Sequence, residues 1–350
     1  VEASARFPDG TEIGERVFGA LAKAAPDGHL TVLACDQHNS FLRMLTQFNA
    51  HARAAGGSRA EFPDEATDEQ VARLSATLAR SLGGAHAAAL FNHLGYMQAG
   101  FRQMLAEKGT MLLGRLEDTE FDKSPDGKGA VPRLAVRPED AADRVDGFKT
   151  LVKVDPGHDE SWKLSLEWLE NVWQRCRALG KPLFNETLYV PVGRVSALEK
   201  ARKLPRALVE IAAAFGPYGD FYKTQVPMLW LEDDGTPVNS PAEIRGTMEE
   251  IREIVDRPLL VLSAAVSFPQ YAAQMAAVCD LVVGPMCGRA YFKDPFSDPS
   301  VTTWEALEEA IGRVALPRMS QIHVLASRAG LPWWHKFEWM SDEARGLVGQ

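Results

Sequence analysis

The residues of this chain that could do chemistry are lysines placed inside short apolar runs, with carboxylates at comparable positions in neighbouring runs. The clearest is Lys223 in DFYKTQVP, Asp220 to Pro227. Gly216, Pro217 and Gly219 before it, Pro227 after it, and the aromatic and β-branched content between predict a short strand. Side chains alternate along a strand, so Lys223 and Gln225 share one face while Tyr222 and Thr224 take the other. An ammonium group in a core is costly unless it is paired or its pKa is lowered. A lysine so lowered is an amine nucleophile that can form a Schiff base with a carbonyl. A structural ion pair is the competing reading, and this strand alone does not decide between them.

The elements that must position such a lysine come as a regular alternation of β runs and helical patterns. Strands are predicted at Leu30 to Cys35, Ala87 to Asn92, Thr110 to Leu116, Phe148 to Val154, Lys181 to Tyr189, Asp220 to Val226, Pro258 to Ala264 and Asp280 to Cys287. Eight strands alternating with helices over about 300 residues close most simply as an α/β (β/α)8 barrel. A doubly wound open sheet is the rival, but no Gly-rich fingerprint follows the first strand. The expected organisation is an N-terminal extension (1–29), the barrel (30–300), and a last barrel helix with a C-terminal tail (301–350). This is a single domain with helical extensions at both ends. The polar stretch Glu117 to Arg133 reads as a mobile loop, either a lid on the catalytic rim or a disordered excursion.

Barrel active sites gather at the C-terminal ends of the strands. There this chain places Asp36 and Gln37 (strand one), Lys149 and Lys153 on one face of strand four, Glu186 (strand five) and Lys223 (strand six). Ser263 ends strand seven, followed by the small residues Ala264 and Ala265; strand eight runs into Cys287, Gly288 and Arg289. Small residues allow close backbone approach, and an arginine can clamp an anion bidentately. His93, after strand two, is a candidate to polarise a substrate oxygen, against the commoner role of a packing or capping histidine. His38 is similar. Asp155, His158, Asp159 and Glu160 cluster without metal-ligand spacing and read as a solvated loop. Trp333, Trp334, Trp339 and His335 read as a tail packed across the barrel or as a subunit interface.

Composition bounds the partners. The chain has 350 residues, 46% hydrophobic and 24% charged, with a net charge of −9, which argues against nucleic acid. A local basic pocket for an anionic small molecule is compatible with that balance. Cys35, Cys176, Cys279 and Cys287 have no metal spacing and read as reduced thiols of a cytoplasmic protein. No run approaches 18 apolar residues, and the N-terminus has no signal-peptide pattern, so neither membrane nor export is expected.

Ordered motifs then carry a resemblance. LACDQHNSFLRML, VDGFKTLVKVD, KPLFNETLY, DFYKTQVP, LLVLSAAVS and CGRAYF, between Leu33 and Phe292, resemble the class I tagatose 1,6-bisphosphate aldolases, a family that includes sulfofructosephosphate aldolases. The resemblance implies a barrel that cleaves phosphorylated ketoses through a lysine imine, with no metal or cofactor. It implies Lys223 as the imine lysine, Glu186 as acid/base, and Lys149 and Asp36 as charged neighbours. Gln37 would orient substrate, and Ser263, Gly288 and Arg289 would hold a phosphate. The chain departs from the family pattern at Gln225 (for Glu), Ala265 (for Gly), Lys153 (for an apolar or aromatic residue) and Asn92 (for an acid), all around the substrate. On this reading Lys149 lowers the pKa of Lys223, and Glu186 serves both imine formation and the proton of the C4 hydroxyl. A transaldolase, a lyase acting on a sulfonated or keto-acid sugar, and a metabolite-sensing paralogue are the alternatives. The expected partner is a phosphorylated or otherwise anionic sugar, with self-association through helical faces as an option.

Overall fold

A computed structural model describes residues 2–230 and 237–349. Eight parallel strands close into a barrel: β1 (Val32–Cys35), β2 (Ala88–Phe91), β3 (Met111–Arg115), β4 (Gly147–Val154), β5 (Leu183–Tyr189), β6 (Phe221–Thr224), β7 (Leu259–Leu262) and β8 (Gly284–Cys287). Each strand pairs with its neighbours in sequence, and β8 returns to β1. The fold is a (β/α)8 barrel. All eight predicted strands are present, most of them shorter than expected. The run before β8 loses its first residues to a 3-10 turn, Cys279–Leu281.

Alternation divides the strand residues between two cores. Leu33, Cys35, Phe91, Phe148, Val152, Tyr222, Val261 and Cys287 pack outward against the helices. Val32, Ala34, Leu90, Leu113, Phe184, Phe221, Leu260 and Met286 belong to an inner and lower cluster. Continuing the inward sets of β1, β3, β5 and β6 by two residues reaches Asp36, Arg115, Glu186 and Lys223. The apolar layers thus end in a charged one at the mouth. Phe184 and Phe221 stack with centroids 4.4 Å apart and planes 10° from parallel, and Glu186 and Lys223 follow them two residues later. The charged layer therefore rests on a buried aromatic floor.

The opposite end is sealed by both chain ends. Ala5–Arg6 pairs antiparallel with Glu12–Ile13 on one side and Trp339–Met340 on the other. Phe7, Phe18 and Trp333 are fully buried there with Phe337 beside them, and the Trp333 indole N–H donates to the Ala25 carbonyl at 3.0 Å. The extensions are therefore not purely helical, because two-residue strands have no periodicity by which a sequence could announce them. Trp333 and Trp334 plug the base, whereas Trp339 keeps 43% of its surface exposed.

The expectation of a disordered excursion at Glu117 to Arg133 is corrected. Asp122–Lys123 and Ala130–Val131 form a hairpin, and Arg133 bridges Asp118 and Asp122 at 3.1 and 3.2 Å. Asp126 meets His158 at 2.9 Å, tying the hairpin to the helix Asp159–Ala178. His158 also caps that helix, accepting from the Ser161 N–H. Asp155 accepts from Gly157 and Val192, so this cluster organises loops. The cysteines are all free thiols. Among the described residues no helix is long and apolar enough to cross a membrane.

Candidate active site

Strand register assembles the site. Lys223 lies directly beside Glu186 across the β6–β5 pair, and Lys149 lies beside Arg115 across β4–β3. Lys223 Nζ donates to Glu186 Oε2 at 2.8 Å. Lys149 Nζ reaches the same Oε2 at 2.8 Å, Asp36 Oδ2 at 2.8 Å and Glu117 Oε1 at 3.1 Å. All of these side chains are buried. Three carboxylates thus converge on one ammonium, and the second ammonium shares one of them.

The charges set each other. Burial opposes the charge of Lys149, yet Asp36, Glu117 and Glu186 together hold its pKa far above the ordinary lysine value. Burial works against the Asp36 carboxylate too, but Lys149, Lys223 and Arg115 outweigh it and bring the pKa down to about 2. Glu186 is likewise held below its ordinary value against burial by Lys149 and Lys223. Glu117 goes the other way: burial raises its pKa beyond what Lys149 and Arg115 offset.

A cavity of about 290 Å³ opens above this layer, lined by Lys223, Glu186, Lys149, Asp36, Gln37, Gln225, Ser263, Gly288 and Arg289. Gln37 donates to Asp36 Oδ1 at 2.6 Å. The Gln225 side-chain oxygen accepts the Tyr189 N–H at 3.0 Å and fastens the end of β5. Ser263 leads into Ala264 (φ 48°) and Ala265 (φ 63°), consecutive non-glycine residues in the left-handed region beside the cavity. Lys293 reaches the Ala265 and Val266 carbonyls of that turn at 3.3 and 3.2 Å. A Cβ on Gly288 would come within 1.8 Å of the Ala34 carbonyl oxygen, so only glycine lets the β8 turn approach β1 this closely. Arg289 is tethered to Ser40 Oγ at 2.8 Å.

The sequence is similar to curated relatives. Tagatose 1,6-diphosphate aldolases of Listeria monocytogenes serotype 4a and Listeria innocua serovar 6a are each 27% identical to it over 254 residues, 67% of this chain and 74% of theirs. The aldolase resemblance is borne out. No protein-family model matches the chain. A crystal structure of an archaeal fructose 1,6-bisphosphate aldolase is similar at a TM-score of 0.49 and 14% identity, covering 85% of this chain and 98% of that one, a likeness too slight to bear on chemistry.

A second cavity of about 310 Å³ adjoins the first and shares Asp36, Gln37, Leu151 and Arg289 with it. Its walls carry Arg43, Arg115 and Lys153, whose ammonium lies 4.1 Å from the centre of the Phe121 ring. Burial lowers the pKa of Lys153. Lys153 therefore sits in the outer basin and not beside Lys223. His93 lines neither cavity; it starts the short helix His93–Tyr96, which Asn92 caps through the Gly95 N–H. Arg115, Glu117, Lys200 and Arg43 were not singled out from sequence, although all four line the two cavities. Leu113, Arg115 and Glu117 share one parity, so a charged pair at period two on the end of β3 was the available signal.

Proposed function

We propose that this chain is a class I aldolase, a lyase that makes or breaks a C–C bond in a phosphorylated ketose through an imine on Lys223. The observation that supports it most is the surroundings of Lys223. Its ammonium is buried at the cavity, and among the described residues its polar partner is the single carboxylate Glu186 at 2.8 Å. Passing a proton across that bond leaves a neutral amine facing the cavity. Lys149 stays paired with Asp36 and Glu117 when Glu186 takes up that proton, so the transfer strands no buried charge.

In this scheme Lys223 attacks the ketone, and Glu186 returns a proton to the carbinolamine oxygen as water leaves. The protonated imine then draws in the electron pair of the C3–C4 bond as the C4 hydroxyl loses its proton. This gives an enamine on Lys223 and a free aldehyde. Ser263, Gly288, Arg289 and the left-handed turn hold the anionic end near the ketone, fixing it within attack distance. The outer basin, with Arg43, Arg115 and Lys153, suits a second anionic group, phosphate or sulfonate, on the aldehyde half. The Listeria relatives are named for a diphosphate, which fits such a two-ended substrate.

Borohydride reduction with dihydroxyacetone phosphate and a panel of phosphorylated and sulfonated ketoses, followed by peptide mass mapping, tests the reading. A reduced adduct on Lys223, and cleavage unaffected by chelators, are expected. No adduct with any of these ketones on folded protein would overturn it.

A further inference from the structure

Glu117 stands apart from the other carboxylates of the site. It is 1% exposed, and its Oε1 accepts from Lys149 at 3.1 Å. Its Oε2 is buried with no hydrogen-bond partner among the described residues. An acceptor left this way costs about 1–3 kcal/mol, so the site bears an expense that a bound donor would relieve. Both oxygens of Asp36 are engaged, by Gln37 and by Lys149. Glu186 is engaged with Lys223 and lines the inner cavity. Glu117 lines the outer cavity and not the inner one. Lys149 bonds both glutamates and so stands between the two cavities' carboxylates.

Resting on the imine reading above, we infer that acid–base work is divided between two glutamates. Glu186 serves imine formation at Lys223, and Glu117 is the catalytic base that takes the proton of the C4 hydroxyl on the aldehyde half. The step balances. The O–H proton passes to Glu117 Oε2, the O–H electron pair becomes the new carbonyl bond, and the C3–C4 pair moves into the imine to form the enamine. In the synthetic direction protonated Glu117 returns the proton to the aldehyde oxygen. The charged groups facing it are Lys149 from β4, Arg115 from β3 and Asp36 from beyond β1, with Lys153 across the outer basin. Burial raises its pKa while those of Glu186 and Asp36 are lowered, and such separation is how two carboxyl groups come to hold different roles.

The test compares two readouts on the full chain. In Glu117→Gln, borohydride trapping of dihydroxyacetone phosphate on Lys223 should stay within about twofold of wild type. Cleavage of tagatose 1,6-bisphosphate, or of whichever ketose in the panel the wild type cleaves, should fall by about 10²–10⁴-fold, the usual worth of a general base. Cleavage within about threefold of wild type overturns the inference. So does parallel loss of trapping and cleavage, which would make Glu117 a support for Lys149 only. Should that variant not fold, the wild-type pH profiles decide: a base must be deprotonated, so cleavage should fail on acidification at a higher pH than trapping does. Coincident acid limbs overturn the assignment. Absence of trapping in the wild type would instead bring down the imine reading itself, and this inference with it.

Discussion

The two ends of this barrel are closed by opposite physics. At the base, Phe7, Phe18, Trp333 and Phe337 fill the space with apolar surface, each buried side chain contributing about 1.5–3 kcal/mol through transfer from water. At the mouth, Asp36, Glu117 and Glu186 face Lys149, Lys223 and Arg115. Burying such a set costs about as much as its attractions return, so it adds little to stability while all partners are present. The base therefore contributes net stability, whereas the mouth keeps a buried charged arrangement at little net gain. The stacked Phe184–Phe221 pair marks the border between the two regimes.

Substitutions at the mouth and the base should accordingly separate chemistry from stability. Lys223→Ala should remove the borohydride adduct and lower cleavage by at least about 10⁴-fold, with urea unfolding changed far less. Lys149→Met removes the ammonium that Asp36, Glu117 and Glu186 share and should cost about 3–5 kcal/mol of stability at pH 7 along with most activity. That gap should narrow on acidification. The Asp36 pKa is brought from 3.8 to about 2 in the folded state, so its contribution is present above pH 3.8 and is lost as pH falls towards 2. Trp333→Ala at the base should cost a similar 3–5 kcal/mol, yet leave kcat/KM of the folded fraction within about twofold. A large loss of kcat/KM there would refute the idea of an inert base. Lys153→Met should raise KM for a ketose anionic at both ends by about tenfold, roughly one charge-assisted hydrogen bond, while leaving dihydroxyacetone phosphate trapping unchanged. The smallest effect is expected at the turn: Ala265→Gly should relieve left-handed strain and raise stability by about 0.5–1 kcal/mol, measured by thermal unfolding.

What could be read in advance follows the same division. The eight strands were legible because alternating apolar runs bounded by Gly, Pro and Asp have few other uses. Lys223, Glu186, Lys149 and Asp36 were legible as charges where packing would choose apolar residues, and the fold brings them together. Glu117 was assigned to a loop because the acidic residues after it mask its parity with Leu113 and Arg115. The role of Gln225 depends on meeting Tyr189 across two strands, a long-range fact that no local pattern encodes. His93 was the opposite case, a suggestive residue type placed by its helix where neither cavity reaches it.

The seal at the base has a kinetic consequence. Ser4 and Ser341 bond to one another across 337 positions, and Arg6 pairs with Trp339. Contacts of such high order form late, after the entropy of closing a very long loop has been met. At common rates of synthesis, the strand that completes this sheet emerges roughly 15–70 s after the one that awaits it. For that interval Phe7 and Phe18 have no Trp333 to cover them. The nascent chain thus carries an uncovered aromatic patch until Trp333 arrives.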